Sequence, residues 1–330
     1  KVTGANISVR ISDEFMQAVS EQKTFKLRWP IDVEKAEVEH EIDAVKLWQT
    51  IVQSAHRSAE PGIIFWDKQH HYSTSSIYPG FKNESTNPCS EIAMQGGDSC
   101  RLMALNLFSF VTNPFTSEAV FDFKKFYEVT YESQRLMDDL VTLELEAVDK
   151  IINKINTDPE PDAIKSTELE TWHMLAENGK KGRRTGLGFT ALADTMAALN
   201  LKFDSIKSLA IIEEIMKTKC EAEFESSIDM AVERGKFSVY DTEIEEQSEF
   251  IQFFKKTYPA AYKRMAVHGR RNISISTVAP TGTVSLMAQT SSGIEPVFML
   301  SYKRRRKIMN PEVEQADFVD ELGDKWKEFD

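Results

Sequence analysis

Cysteine is nearly absent: Cys89, Cys100 and Cys220 are the only three in 330 residues. An odd number at wide spacing matches neither a disulfide framework nor a zinc site built on CxxC, and points to a reducing, intracellular setting. Nowhere does the chain hold the ~20 consecutive apolar residues that a membrane helix needs. The first residues, Lys1-Val2-Thr3-Gly4-Ala5-Asn6, lack the basic-then-apolar pattern of a signal peptide, so a cytoplasmic protein with no membrane partner is expected. Positive charge is in deficit. With 40 Lys and Arg against 52 Asp and Glu, the net charge of -12 gives no general attraction for nucleic acid or anionic lipid, and any phosphate site must be local. Internal repeats and low-complexity tracts are lacking too.

What the chain does hold is apolar periodicity: 41% of its residues are hydrophobic, enough to bury a large core. Residues 7–11 alternate as a strand does, and Ser12-Asp13 then caps a helix starting near Glu14. The chain thus opens in the middle of structure, which suggests that a segment upstream is missing. A helix over 44–59 ends at Pro61-Gly62, before the short apolar run Ile63-Ile64-Phe65-Trp66. Residues 67–87 are polar and read as a long loop, of the kind that is functional or disordered. Helical periodicity recurs over 121–156, 165–178, 189–200 and 205–234, and 273–277 alternates as a strand. Strands separated by long helices predict an α/β fold with parallel crossovers, as in a barrel or a doubly wound sheet.

At the end of the long loop, Asn87-Pro88-Cys89-Ser90-Glu91 places an amide, a thiol and a carboxyl two residues apart, a spacing that turns all three to one side of an extended backbone. Such a trio suits one small polar substrate. The thiol is a candidate nucleophile, redox group or hydrogen-atom donor, and the neighbouring carboxylate argues against a thiol activated for hydrolysis. Equally open from these residues alone is a buried cysteine that merely packs. Downstream of the strand at 273–277, Ala279-Pro280-Thr281-Gly282-Thr283 opens a helical run. Free backbone N–H groups there would face an anion, with the Thr281 and Thr283 hydroxyls adding hydrogen bonds, but on these residues alone an ordinary capped helix start is the better reading. The spacing and lysine of an ATP-hydrolysing P-loop are missing. His70-His71 has no partners at ligand spacing, so no metal site is assigned, and the basic run 303–307 reads as a solvated face.

Taken together, Asn87-Pro88-Cys89-Ser90-Glu91, the segment 99–107 beginning Ser99-Cys100-Arg101, the Gly182-Arg183-Arg184-Thr185-Gly186-Leu187-Gly188-Phe189 motif and Ala279-Pro280-Thr281-Gly282-Thr283 followed by Ser291-Ser292-Gly293-Ile294-Glu295-Pro296 resemble the large, catalytic subunit of ribonucleotide reductases, in family order. The resemblance implies one domain over residues 1–330, part of a ten-stranded α/β barrel around a central finger loop. The early strands, the effector region and the last strands would lie outside the chain. It also implies that Cys89 carries a thiyl radical that abstracts the ribose 3′ hydrogen. Asn87 and Glu91 would hold the ribose hydroxyls, with Glu91 as general base, and Cys100 would be one of two reducing thiols. Residues 279–283 would bind substrate phosphates. The 182–189 motif would be barrel architecture near the active site, with direct ligand contact left open, and its glycines read at least as well as tight turns and close helix packing.

No cysteine precedes Cys89 to complete the reducing pair, and Cys220, in a helical run, reads as a packing residue. The motifs are closer to the adenosylcobalamin-dependent class than to the class whose radical comes from a separate dimetal subunit. Expected partners are a ribonucleoside di- or triphosphate, the remaining reductase segments and a thioredoxin-like reductant. Two rivals remain: a non-catalytic split-gene fragment or assembly module, favoured by the incomplete thiol pair, and a glycyl-radical enzyme, disfavoured by the lack of a glycyl-radical loop.

Overall fold

Buried residues three and four positions apart build the scaffold. In the helix Phe123–Thr157, Phe126, Met137, Val141, Val148 and Ile152 line one buried stripe, and the Asp122 side chain caps its start by accepting the Lys125 N–H. This stripe packs against two further helices, Asp162–Gly182 and Ile206–Arg234. The computed structural model describes residues 5–31, 33–99, 101–310 and 312–329, and all of these elements lie within them. The helical stretches at 121–156, 165–178 and 205–234 are thus matched closely. That at 189–200 is shortened to Leu192–Ala198, because residues up to Thr190 belong to a strand.

Two parallel strand pairs carry the crossovers. Ser8–Ile11 runs beside Gly62–Phe65, with Ser8 opposite Gly62. Its connection includes the helices Asp13–Ser20 and Ala44–Ser58 and an antiparallel hairpin, Thr24–Trp29 with Val38–Asp43. Met103–Asn106 runs beside Leu187–Thr190, with Leu187 opposite Met103. The segment 273–277 lies along the other side of that strand. Leu187 N–H donates to Ile275 O at 2.9 Å and Thr277 N–H to Leu187 O at 3.2 Å, although only Ser276 forms a formal parallel bridge. Lys219, nearly inaccessible on the helix Ile206–Arg234, pins this junction: its ammonium donates to Leu187 O at 2.7 Å, to the Ser276 hydroxyl and to the buried Glu223.

The fold is therefore helix-rich α/β. Among the described residues the strands form six small sheets and no closed barrel. Closure needs each strand hydrogen-bonded to a neighbour on both sides with a regular stagger, and the two parallel pairs are not bonded to each other. A separate antiparallel sheet, Arg304–Lys307 beside Lys325–Phe329 beside Phe318–Val319, ends the described chain.

Candidate functional site

The thiol is presented by a turn. Ser85–Thr86 and Ala93–Met94 pair antiparallel, and between them Ser90 N–H donates to Asn87 O at 2.9 Å, closing a four-residue turn with Pro88 at its second position. Proline favours that place because its φ is already set. Asn87 then bridges the loop: its backbone N–H donates to Ile92 O, and its side-chain oxygen accepts the Ile92 N–H at 3.0 Å. Ser90 has φ +68°, the left-handed region, which completes the reversal. The premise of an extended backbone at 87–91 is thereby replaced. The alternation needed to align Asn87, Cys89 and Glu91 is interrupted, and the Asn87 oxygen is occupied in holding the turn.

Cys89 is exposed at the tip, whereas Glu91 borders a cavity of about 230 Å³. Its walls include Gln69, Ser73, Thr185, Ser274 and Ser276, and two acceptors of the bordering residues, Glu91 Oε2 and Gln69 Oε1, are buried without a hydrogen-bond partner among the described residues. Three contacts tether the hairpin to the first parallel pair and its following helix. Asn6 Nδ2 donates to Pro88 O at 2.8 Å, Arg10 to Glu84 O at 3.4 Å and Gln69 Nε2 to Ser90 O at 3.2 Å.

A second anchor comes from Arg184, a residue that sequence reasoning left inside an architectural motif. It is 2% exposed, and its guanidinium donates to Asp98 at 2.7 Å, to Gln95 Oε1 at 3.2 Å, to the Ser75 hydroxyl at 3.3 Å and to Ala93 O at 3.5 Å. Two arginines between closely spaced glycines were the available signal. The glycines themselves permit close strand approach. A Cβ on Gly186 would stand 2.7 Å from Arg101 O, and one on Gly188 3.1 Å from Thr277 O. Cys100 lies outside the described residues.

The loop 279–283 sits where the strand Leu187–Thr190 ends, at its carboxyl side, the end at which α/β folds place ligand loops. Thr281, at φ +52°, precedes the short helix Gly282–Ala288. Its hydroxyl hydrogen-bonds with that of Thr190 at 3.0 Å and accepts the Gly293 N–H at 2.8 Å, so it binds two chain segments together. Thr283 is exposed, Ala279 is buried, Pro280 is exposed and the space above Gly282 is open. Cys220 is partly buried and its thiol is pushed up to about 12, by burial first and then by Glu223. His70 shares a hydrogen bond with Ser76 in the long loop, and Arg305, Arg306 and Lys307 are each paired with a carboxylate. Among the described residues no group of three or more His, Cys, Asp or Glu side chains is placed to hold a metal ion, and no helix is long and apolar enough to cross a membrane.

Comparison with known proteins adds a direct finding. The family profile described as ribonucleotide reductase, barrel domain, matches residues 1–325. Similar curated proteins include a vitamin B12-dependent ribonucleoside-diphosphate reductase of Mycobacterium tuberculosis, 27% identical over 300 residues that cover 91% of this chain and 36% of the relative. The protein of the same name from Thermoplasma acidophilum is 26% identical, with 91% and 32% covered. A vitamin B12-dependent ribonucleotide reductase of Streptomyces clavuligerus is 25% identical, with 94% and 32% covered. The chain spans about a third of the length of these relatives.

Proposed function

Because the chain belongs to the ribonucleotide reductase barrel-domain family, we propose that it is the central portion of an enzyme that reduces ribonucleoside di- or triphosphates to deoxyribonucleotides by radical chemistry. Cys89 is the thiyl-bearing residue: its sulfur radical takes the hydrogen atom from ribose C3′, reforming the thiol and leaving the radical on the sugar. Glu91 accepts the proton of a ribose hydroxyl as general base, and Asn87 holds the turn and the sugar. Cys100 is one of the two thiols that supply the reducing electrons, later restored by a thioredoxin-like protein. Ala279, Pro280, Thr281, Gly282 and Thr283 form the phosphate loop, with Gly282 and Thr283 as its accessible surface. The whole works in the cytoplasm as one domain over residues 1–330, completed to a ten-stranded barrel around the Cys89 loop by further reductase segments.

The observation that carries this reading is the turn at 87–91, which exposes a thiol at its tip while the carboxyl two residues on borders a polar cavity. The relatives are named for a dependence on vitamin B12, and adenosylcobalamin would supply one-electron oxidation of a thiol. The cavity of about 230 Å³ does not fit a corrin, and no described residue is assigned to hold the cofactor. In the natural polypeptide carrying this chain, Cys89→Ser is expected to abolish deoxyribonucleotide formation while nucleotide affinity is kept. Turnover surviving in that variant would remove Cys89 from the chemistry.

A further inference from the structure

Lys219 stands where a helix normally buries an apolar side chain. It lies on the helix Ile206–Arg234, nearly inaccessible, and its carboxylate partner Glu223, one turn on, is just as deeply buried. A buried ion pair adds little net stability, because the cost of taking both charges out of water offsets their attraction. What such a pair does supply is direction. An ammonium has three donors, and each has an acceptor here: Glu223 Oε1, the Ser276 hydroxyl and, at 2.7 Å, the carbonyl of Leu187.

Two of these acceptors belong to different segments. Leu187 opens the strand Leu187–Thr190, and Ser276 lies in the segment 273–277 beside it. Leu187 O also accepts the Thr277 N–H at 3.2 Å and the Ser276 hydroxyl at 3.3 Å, so the two segments are knotted at one carbonyl, with Lys219 holding the knot from the helix side. The loop 279–283 begins two residues after Thr277. Its far attachment is the Thr281 hydroxyl, bonded to Thr190 and to the Gly293 N–H. The loop is therefore hung from the first and last residues of one strand. Between the two attachments lie Val278, Ala279 and Pro280, and proline has no N–H with which to add a ladder bond. Where the chain leaves Leu187 thus sets where the accessible Gly282 and Thr283 stand.

We propose that Lys219 is a positioning residue for phosphate binding: by clamping Ser276 to Leu187 from behind, it fixes the loop 279–283 where the substrate's phosphates are received, without touching the substrate. This rests on the phosphate-loop reading above and deepens it.

The test compares the natural polypeptide with two variants, Lys219→Met and Lys219→Met with Glu223→Leu. Equilibrium binding of CDP and of cytidine is measured, with KM and kcat for reduction and stability in urea. The single variant leaves Glu223 buried without its ammonium partner and should lose stability, whereas the double variant removes both charges and should regain it. Neither has a donor for Leu187 O and Ser276. Both should therefore bind CDP about tenfold more weakly, the worth of one hydrogen bond to a charged group. KM should rise with kcat kept, and cytidine should bind as it does to the wild type. Unchanged CDP affinity in both variants, CDP affinity regained with stability in the double variant, or an equal loss for cytidine would each overturn the positioning role and leave the phosphate-loop reading in place. A wild type that binds CDP no more tightly than cytidine would overturn that reading and the proposal with it.

Discussion

Replacing Arg184 by Met should release the hairpin that bears Cys89, and the structure sets the scale of the effect. Arg184 and Asp98 are each 2% exposed, and the arginine donates to Asp98, Gln95, Ser75 and the carbonyl of Ala93. Methionine fills much of the volume but donates nothing. Among the described residues, Asp98 would then keep the Ser99 N–H at 2.8 Å and Gln95 Nε2 at 3.1 Å against a buried negative charge. Removing one partner of a buried ion pair costs about 3–5 kcal/mol, whereas replacing both by apolar groups of similar size is often close to neutral. Arg184→Met is therefore expected to lose about 3–5 kcal/mol in urea denaturation, and Arg184→Met with Asp98→Leu to recover at least half of it. Native-state hydrogen exchange should show where the strain goes. The amides of Asn87, Ser90 and Ile92, which close the turn, should lose protection in the single variant before the helix Phe123–Thr157 does. A loss below about 1 kcal/mol, or a double variant no more stable than the single, would refute the view that this pair holds the hairpin.

Alkylation should separate the cysteines: exposed Cys89 should react with iodoacetamide in the native protein well before Cys220, whose thiol is pushed up to about 12 by burial. Peptide mapping by mass spectrometry reads the order, and equal rates would contradict the exposure of the turn. Acid stability should depend on Asp138. Burial alone would raise its carboxyl, but the hydrogen bond and charge of Arg183, with Arg271 and Asn272, outweigh it and leave it below the ordinary 3.8. The unfolded chain then binds the proton first, so the stabilisation is complete above about pH 4 and is lost as pH falls through the folded value. In Asp138→Asn the stability measured from about pH 6 to about pH 3 should fall less steeply; an unchanged slope would exclude this residue as the cause. Gly186→Ala would bring a Cβ to 2.7 Å from the backbone oxygen of Arg101. The strand pair must shift, and a loss of about 1–3 kcal/mol in urea denaturation is expected; an unchanged midpoint would show that the strands separate freely there.

Local signals account for much of what was legible. The long helices were readable because a buried stripe repeats every three or four residues, and Ser12 and Asp43 cap helices where short polar side chains stand before apolar periodicity. The strand at 8–11 and the break at Pro61-Gly62 were equally clear. The hairpin of Thr24–Trp29 and Val38–Asp43 was overlooked although Thr24-Phe25-Lys26-Leu27-Arg28-Trp29 alternates, a period-two signal that was present. At 273–277 alternation correctly indicated extended backbone, but whether that segment joins a full ladder depends on Leu187, far away in sequence.

The candidate site divides in the same way. Residue types and spacing were enough to single out Asn87, Cys89, Glu91 and the loop 279–283, because chemistry-bearing side chains beside Pro and Gly are visible in one dimension. How they are used was not. An amide two residues before a thiol can face a substrate or tie a turn, and only the Asn87 bond to Ile92 distinguishes the second use. A threonine in a glycine loop can face a phosphate, yet the Thr281 hydroxyl is bonded to Thr190 and Gly293. The sequence by itself determined the helix-rich α/β class, the family and the candidate chemistry, since these rest on local periodicity and motif order. Tertiary structure alone decided that Arg184 grips the base of the Cys89 hairpin and that Gln69 and Glu91 border one cavity. Those contacts join residues 22 to 91 positions apart, where no local propensity reaches and only packing brings the partners together.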